Sequence, residues 1–311
     1  MSTHGTGLAP IAIFAYNRPD RLQRLFESLL RCPEFHDTTV TVFVDGPKRD
    51  IDRVAVEQVR SLVKNQRLPN VAAVYREENH GLRRSIYAGV TEMVGKYGRV
   101  IVLEDDLVVS PAALTYFNSA LRHYDEHQRV WSIVGYVYDA PSLRNAKEAL
   151  VLPFTHPWGW ATWSRAWDHF ALDNYPEGNV ISSRSFRSAF DMQGLYPFTN
   201  QLGSSIQGRV NSWFIHWYYA MFINGGVSIF PPRRLVDNYG LSAGSHGGSL
   251  NPYDRLVTRP PLLDRVPGFG KSIAVDYPAL DALRRCHELR VHRFIARAGT
   301  AKRTLRPGGY R

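Results

Sequence analysis

Apolar runs and amphipathic stretches alternate along the N-terminal third of the chain. Pro10-Ile11-Ala12-Ile13-Phe14-Ala15-Tyr16 is continuous and apolar, which predicts a strand buried on both faces. Asn17-Arg18-Pro19-Asp20 follows, and then Leu22, Leu25, Phe26, Leu29 and Leu30 recur at helical spacing, with proline well placed near the helix start. Val40 to Val44 and Val71 to Tyr75 predict two further strands, which end in Asp45-Gly46-Pro47 and, after two residues, Glu78-Asn79-His80-Gly81-Leu82. Helices are predicted through Val54, Val59, Leu62 and Val63 and from Ile86 to Val94. Strands alternating with helices predict an α/β fold with a doubly wound, mostly parallel sheet and helices on both faces.

The fourth unit carries the chemistry. Gly98-Arg99-Val100-Ile101-Val102-Leu103-Glu104-Asp105-Asp106-Leu107-Val108-Val109 is an apolar run interrupted by three consecutive acids. Ligands of open parallel sheets bind beyond the carboxyl ends of the strands. Three adjacent carboxylates there repel one another unless a cation or hydrogen-bond donors compensate, which points to Mg²⁺ or Mn²⁺ bridging to phosphate. A solvated acidic turn is the alternative. Asn17, Arg18, Asp45 and the Asn79 to Arg84 segment are expected at the same edge, where a nucleotide would sit. No Gly-x-Gly-x-x-Gly and no P-loop follows any of these strands.

After a helix predicted from Ser110 to Tyr124 the chain becomes irregular and aromatic. Trp131 to Tyr136 reads as a strand, and Phe154-Thr155-His156-Pro157-Trp158-Gly159-Trp160-Ala161-Thr162-Trp163 as a loop. Glycine between two tryptophans lets backbone approach a ligand, and aromatic faces suit the C–H faces of a sugar ring. The other reading is a loop packed by its own indoles. Asn211 to Phe222 predicts a helix capped by Asn211 or Ser212, and Leu235-Val236-Asp237-Asn238 precedes a Gly/Ser-rich loop, Gly240 to Gly248, that could close over a ligand.

Composition narrows the class. The chain has 311 residues, 44% of them hydrophobic, with seven Trp, sixteen Tyr and fifteen Phe, which excludes a largely disordered chain. Cys32 and Cys286 stand in no metal-ligand spacing and form no disulfide framework, so a reducing, cytoplasmic compartment is expected. Met1 to Gly7 lacks the basic and apolar regions of a signal peptide, and no window is long and apolar enough to span a membrane. Of the formal charge of +10, Lys271 to Arg311 supplies ten basic residues against three acidic, an excess of 10 − 3 = +7. The remaining residues carry only +3, so a nucleic-acid-binding body is not implied.

With these residues assembled, the chain from about Pro10 to His246 resembles the GT-A glycosyltransferases, and within them the N-acetylglucosaminyltransferase I type and bacterial sugar transferases of similar pattern. Val102-Leu103-Glu104-Asp105-Asp106-Leu107 is the most specific element, followed by Gly159-Trp160 after a proline and by the opening Tyr16-Asn17-Arg18-Pro19. The resemblance implies that Asp106 binds Mn²⁺ or Mg²⁺ and that Asp105 contacts a nucleotide-sugar donor, read as UDP-linked. It further implies that Tyr16, Asn17, Arg18, Asp45, Asn79, Arg83, Glu104, Gly159 and Trp160 lie around that donor, and that His246 stands near the metal. The implied reaction is metal-dependent transfer with inversion to a glycan, lipid-linked or protein acceptor, in which a base takes the acceptor proton. Here the sequence departs from the family, because the matching Asn211 to Trp217 stretch contains no acid. His216 and Asp237 are the candidates for the base, with Asp139 and Asp168 behind them. A helical histidine among aromatics is also read as a packed residue. A sugar-phosphate nucleotidyltransferase would need a glycine-rich loop after the first strand, which Ala15-Tyr16-Asn17-Arg18 does not provide. A carbohydrate-binding protein without catalysis is the other alternative.

The expected organisation is a flexible 1–9, a nucleotide-binding half over 10–125, an acceptor and donor-sugar half over 126–270, and a basic helical tail over 271–311. In the tail, Leu280, Leu283, His287, Val291 and Phe294 recur at helical spacing while arginines crowd the other face. That pattern reads either as a helix packed on the body or as a peripheral contact with an anionic membrane at its cytoplasmic face.

Overall fold

A computed structural model describes residues 7–173, 181–239 and 260–286. The first four units form as the periodicity predicts. Strand β1 (Ile11–Ala15) leads to α1 (Pro19–Leu29), β2 (Val40–Val44) to α2 (Arg53–Asn65), β3 (Val71–Tyr75) to α3 (Gly81–Tyr97), and β4 (Arg99–Glu104) closes the run. A short β5 (Leu107–Val109) and α4 (Ala113–His123) follow. The second half adds β6 (Val130–Val134), β7 (Leu150–Leu152), β8 (Trp160–Trp163), α5 (Ser164–Trp167), α6 (Arg184–Phe190), α7 (Phe198–Ile206), α8 (Phe214–Ile223), β9 (Val227–Phe230) and β10 (Val236–Asn238).

Eight strands make one sheet in the order β3-β2-β1-β4-β8-β6-β9-β7, and β10 pairs separately with β5. Pairing is parallel from β3 through β4 and between β6 and β9; β8 runs against β4 and β6, and β7 against β9. Six strands of the sheet therefore point one way, and the mostly parallel, doubly wound expectation holds.

The pleat sends alternate side chains to opposite faces. Ile11, Ile13 and Ala15 join α1, α2 and α4 in one core, while Ala12 and Phe14 join α3, α5 and α6 to α8 in the other. One expectation is corrected here. The Phe154 to Trp163 stretch is not all loop, because its last four residues are β8, buried throughout between β4 and β6. In the basic segment, residues 277–286 are helical, and Leu280 and Leu283 sit in the second core. Residues 287–311 lie outside the described residues. Among the described residues no helix is long and apolar enough to cross a membrane.

Candidate active site

Because β4 pairs in parallel with β1, with Phe14 opposite Glu104, the turn after β1 lies beside the acids after β4. The Asp105 amide donates to the Phe14 carbonyl at 3.0 Å, and Asp105 Oδ2 accepts the Tyr16 amide at 3.2 Å. Arg18 stands at the start of α1. Its guanidinium binds Asp105 Oδ1 with one nitrogen and Asp106 Oδ2 with the other, the second contact at 3.0 Å. Asp105 is 1% exposed and Asp106 8%, so these carboxylates are held at the floor of the edge rather than on a solvated turn.

The other oxygen of Asp106 meets a residue that sequence reasoning did not single out. Asn238 Nδ2 donates to Asp106 Oδ1 at 3.3 Å, and the Tyr239 amide donates to the Asp106 carbonyl at 2.9 Å. The antiparallel pairing of β10 with β5 places Asn238 opposite Leu107. A buried ion pair of Arg234 and Asp237 at 3.1 Å fixes the same strand. Its third anchor is Val236, whose methyls fill the space over two glycines. A Cβ at Gly135 would lie 2.5 Å from Val236, and one at Gly159, which also has a φ of +66°, would lie 2.9 Å from it. The glycine between the two tryptophans is thus required by chain packing.

Electrostatics follow from this crowding. Glu104, half-buried on the face of α3 and α8, has its carboxyl pushed up to about 8 by burial, with Asp106 and Asp105 adding to the effect. Arg18 and a hydrogen bond from the Trp213 indole oppose it. Burial also lifts Asp105 to about 6 against the pull of Arg18. Among the described residues the three acids share one guanidinium, that of Arg18.

A model of glycosyl transferase family 2 matches residues 11–187, more than half of the 311-residue chain. The chain belongs to glycosyl transferase family 2. Its mixed α/β sheet with flanking helices is a GT-A fold, and the nucleotidyltransferase alternative falls. A comparison with the curated proteins returns no match. Among solved structures, a mannosyltransferase from Pyrobaculum calidifontis in complex with GDP-Man and Mn²⁺ is 10% identical, over 70% of this chain and 69% of that one, with a TM-score of 0.40. GalNAc-T7 with UDP, GalNAc and Mn²⁺ is 13% identical over 80% of this chain, which spans 47% of that protein, with a TM-score of 0.48. At these values neither likeness assigns a donor, a metal or a residue role here.

Within this glycosyltransferase Tyr16, Asn17, Asp45 and Asn79 lie at the neighbouring strand ends, engaged by the protein itself. Tyr16 Oη accepts the Lys48 amide at 2.8 Å, and Asn17 Nδ2 donates to Asp52 at 3.2 Å. Asp45 accepts the amides of Gly46, His80 and Gly81 at 3.1, 2.9 and 2.8 Å, which anchors the first turn of α3. Asn79 Nδ2 donates to the Gly46 carbonyl at 2.8 Å. Arg83 binds the Leu172 carbonyl and Asp173. His246 lies outside the described residues, as does the Gly240 to Gly248 loop.

Several expectations are corrected. Trp160 is 1% exposed, its ring 5.3 Å from Trp213, 5.7 Å from Trp167 and 5.9 Å from Trp217, so it is core and has no free face for a sugar. Trp158, two residues earlier and half-buried, is the tryptophan nearer the sheet edge. His216 is also core. It is 1% exposed, bonded through Nε2 to Ser205 at 2.8 Å, and depressed to about 4 by burial and by Arg83, which is the packed arrangement. Asp237 is committed to Arg234, and Asp139 to Arg144 at 2.9 and 2.5 Å. Asp168 follows β8, whose Trp163 pairs with Arg99 at the start of β4, and so lies at the opposite edge of the sheet. Asn238 and Trp213 were missed because each reaches the acids only through tertiary pairing. Both lie beyond the matched residues 11–187.

Proposed function

We propose that this family 2 glycosyltransferase moves a sugar from a nucleotide-sugar donor, of the uridine diphosphate class, to a glycan, lipid-linked or protein acceptor, with a divalent cation held by Asp106. The observation that carries the reading is the Asp105–Asp106 pair, held between Arg18 and Asn238 at the carboxyl edge of β4. The residues present fit a hard cation. All three acids offer oxygen, and burial together with the neighbouring Asp106 and Asp105 raises the Glu104 carboxyl. Among the described residues no group of three or more His, Cys, Asp or Glu is arranged to hold a metal. Asp106 would therefore share Mn²⁺ or Mg²⁺ with phosphate oxygens of the donor, as such cations commonly are shared. Bound there, the cation supplies positive charge to the departing diphosphate.

The protein's own groups do the rest of the positioning. Buried Asp105 holds the Tyr16 amide and the Arg18 guanidinium, which fixes the turn where the nucleoside enters. Asp45 holds His80 and Gly81 at the neighbouring strand end, on the other side of that entry. Inversion is carried over from the resemblance to the N-acetylglucosaminyltransferase I type.

Calorimetric titration with UDP and with GDP, in MnCl₂ and in EDTA, tests the reading. UDP is expected to bind in MnCl₂ and to lose that affinity in EDTA; the anomeric configuration of the product by NMR then checks inversion. Nucleotide binding that ignores EDTA removes the cation. Failure to bind any nucleotide while saccharides bind returns the chain to a carbohydrate-binding role.

A further inference from the structure

We infer that Arg18 is an internal counter-cation for Asp105 and Asp106, which a divalent cation must displace from Asp106 and which then takes the donor's diphosphate. This rests on the cation reading above and goes beyond it, because it assigns Arg18 two alternative partners and makes cation and nucleotide binding depend on one another.

The geometry supplies the reasons. One fork of Arg18 spans both carboxylates, whose side chains are 1% and 9% exposed, while Arg18 itself is 24% exposed. The acids are walled in and the guanidinium is at the mouth. Its backbone is fixed, since the Arg18 carbonyl accepts the Arg21 and Leu22 amides at 3.2 and 3.1 Å. The residues before it are fixed as well, through Tyr16 to Lys48 and Asn17 to Asp52. Only the side chain is left to move.

On the other oxygen of Asp106 the partner is the neutral amide of Asn238 at 3.3 Å. The neighbouring arginines have their own acids, Arg49 with Asp52 and Arg83 with Asp173. Among the described residues Arg18 is therefore the positive charge a cation meets at Asp106, and two cations on one carboxylate repel. A diphosphate resolves the conflict, because a guanidinium binds phosphate oxygens in a fork as well as it binds carboxylates. Cation and nucleotide then favour each other, reciprocally.

The test is Mn²⁺ affinity, read by electron paramagnetic resonance on the full chain with and without UDP or GDP. With nucleotide absent, Arg18→Met is expected to bind Mn²⁺ tighter than wild type, by about tenfold, and in saturating Mn²⁺ to bind UDP about tenfold weaker. Arg18→Lys keeps the charge but cannot span both carboxylates, and it is expected to fall between the two. It carries the test if the methionine variant does not fold. If Arg18 merely orients Asp106, both variants bind Mn²⁺ alone more weakly; that result, or unchanged affinity, overturns the inference and leaves the cation reading intact. If Mn²⁺ binds neither wild type nor variant at any UDP or GDP concentration, the cation reading falls and this inference falls with it.

Discussion

The two faces of the central sheet are built from different side chains. Under α1, α2 and α4 the packing is mostly aliphatic, from Ile11, Ile13, Leu22, Leu25, Val40, Val42 and their neighbours. Under α3 and α5 to α8 it is aromatic, with Trp131, Trp160, Trp167, Trp213 and Trp217 in one cluster with Phe190, Phe198 and Tyr218. On the aliphatic side α1 and α2 each follow a five-residue strand and repeat one plan. Beyond α3 the aromatic face lacks that repeat and gains its order from ring contacts, such as the 4.5 Å stack of Phe190 on Tyr218 and the 5.1 Å contact of Trp167 with Trp217. The difference teaches that aromatic density in this chain marks a scaffold. The acid cluster on which the proposed function rests sits where both faces end, at the carboxyl edge, and the aromatic face contributes there through Trp213 at Glu104.

The largest expected effect attacks the aromatic face at its centre. Trp160→Ala should lose about 3–5 kcal/mol of stability, as truncation of a buried tryptophan does, and calorimetric melting measures it. Nucleotide affinity of the folded fraction should be unchanged. A variant with the wild-type melting temperature and weakened donor binding would mean that the indole faces the donor after all.

Asp106→Ala is the complement, at the edge. Transfer should fall by roughly 10²–10³-fold, or about 2.7–4 kcal/mol in the transition state, the typical loss for one preorganised electrostatic group. Melting should change little, because removing one of three crowded acids relieves repulsion on Glu104 and Asp105 and so offsets the lost contacts to Arg18 and Asn238. Steady-state kinetics beside a melting curve decide it, and a collapse of both would make the acid cluster structural.

A smaller effect separates the two regions by pH. Burial depresses His156 to about 3 and His216, with help from Arg83, to about 4. Each stays neutral in the folded chain while the unfolded chain takes up a proton near 6.5. Stability from each is therefore full above about 6.5 and is lost as pH falls toward the folded value, at about 1.4 kcal/mol per pH unit. Glu104 and Asp105, raised rather than lowered, run the opposite way and stabilise the fold as pH falls. The histidine contribution is accordingly read as a difference, by urea unfolding of wild type and His156→Gln. The stability gap between them should shrink as pH falls from 6.5 to 4.5, and a gap independent of pH would show that His156 titrates alike in both states.

Local pattern was enough for much of this. The run from Ile11 to Glu104 is legible because continuous apolar strands and amphipathic helices carry their own period, and because acids cannot be threaded into a core without a partner, which puts Glu104 to Asp106 at a strand end. Trp160 and His216 each keep two readings in the sequence for the converse reason. An indole or an imidazole is amphipathic, and nothing adjacent in sequence says whether its apolar body is covered by Trp213 and Trp217 or left open. Asn238 was illegible because its partner is 132 positions away, and the pairing depends on Val236 seating over Gly135 and Gly159.

By itself, then, the sequence determined the alternation of strands and helices, the acid triplet and its edge, and with them membership among the GT-A glycosyltransferases. Tertiary structure alone decided which polar groups close on Asp106, which carboxylates are spent on Arg144 and Arg234, and which aromatics are core. The reason is physical. Secondary structure and charge burial are governed by near neighbours along the chain, whereas an ion pair or a covered ring depends on elements that meet only when the sheet is complete.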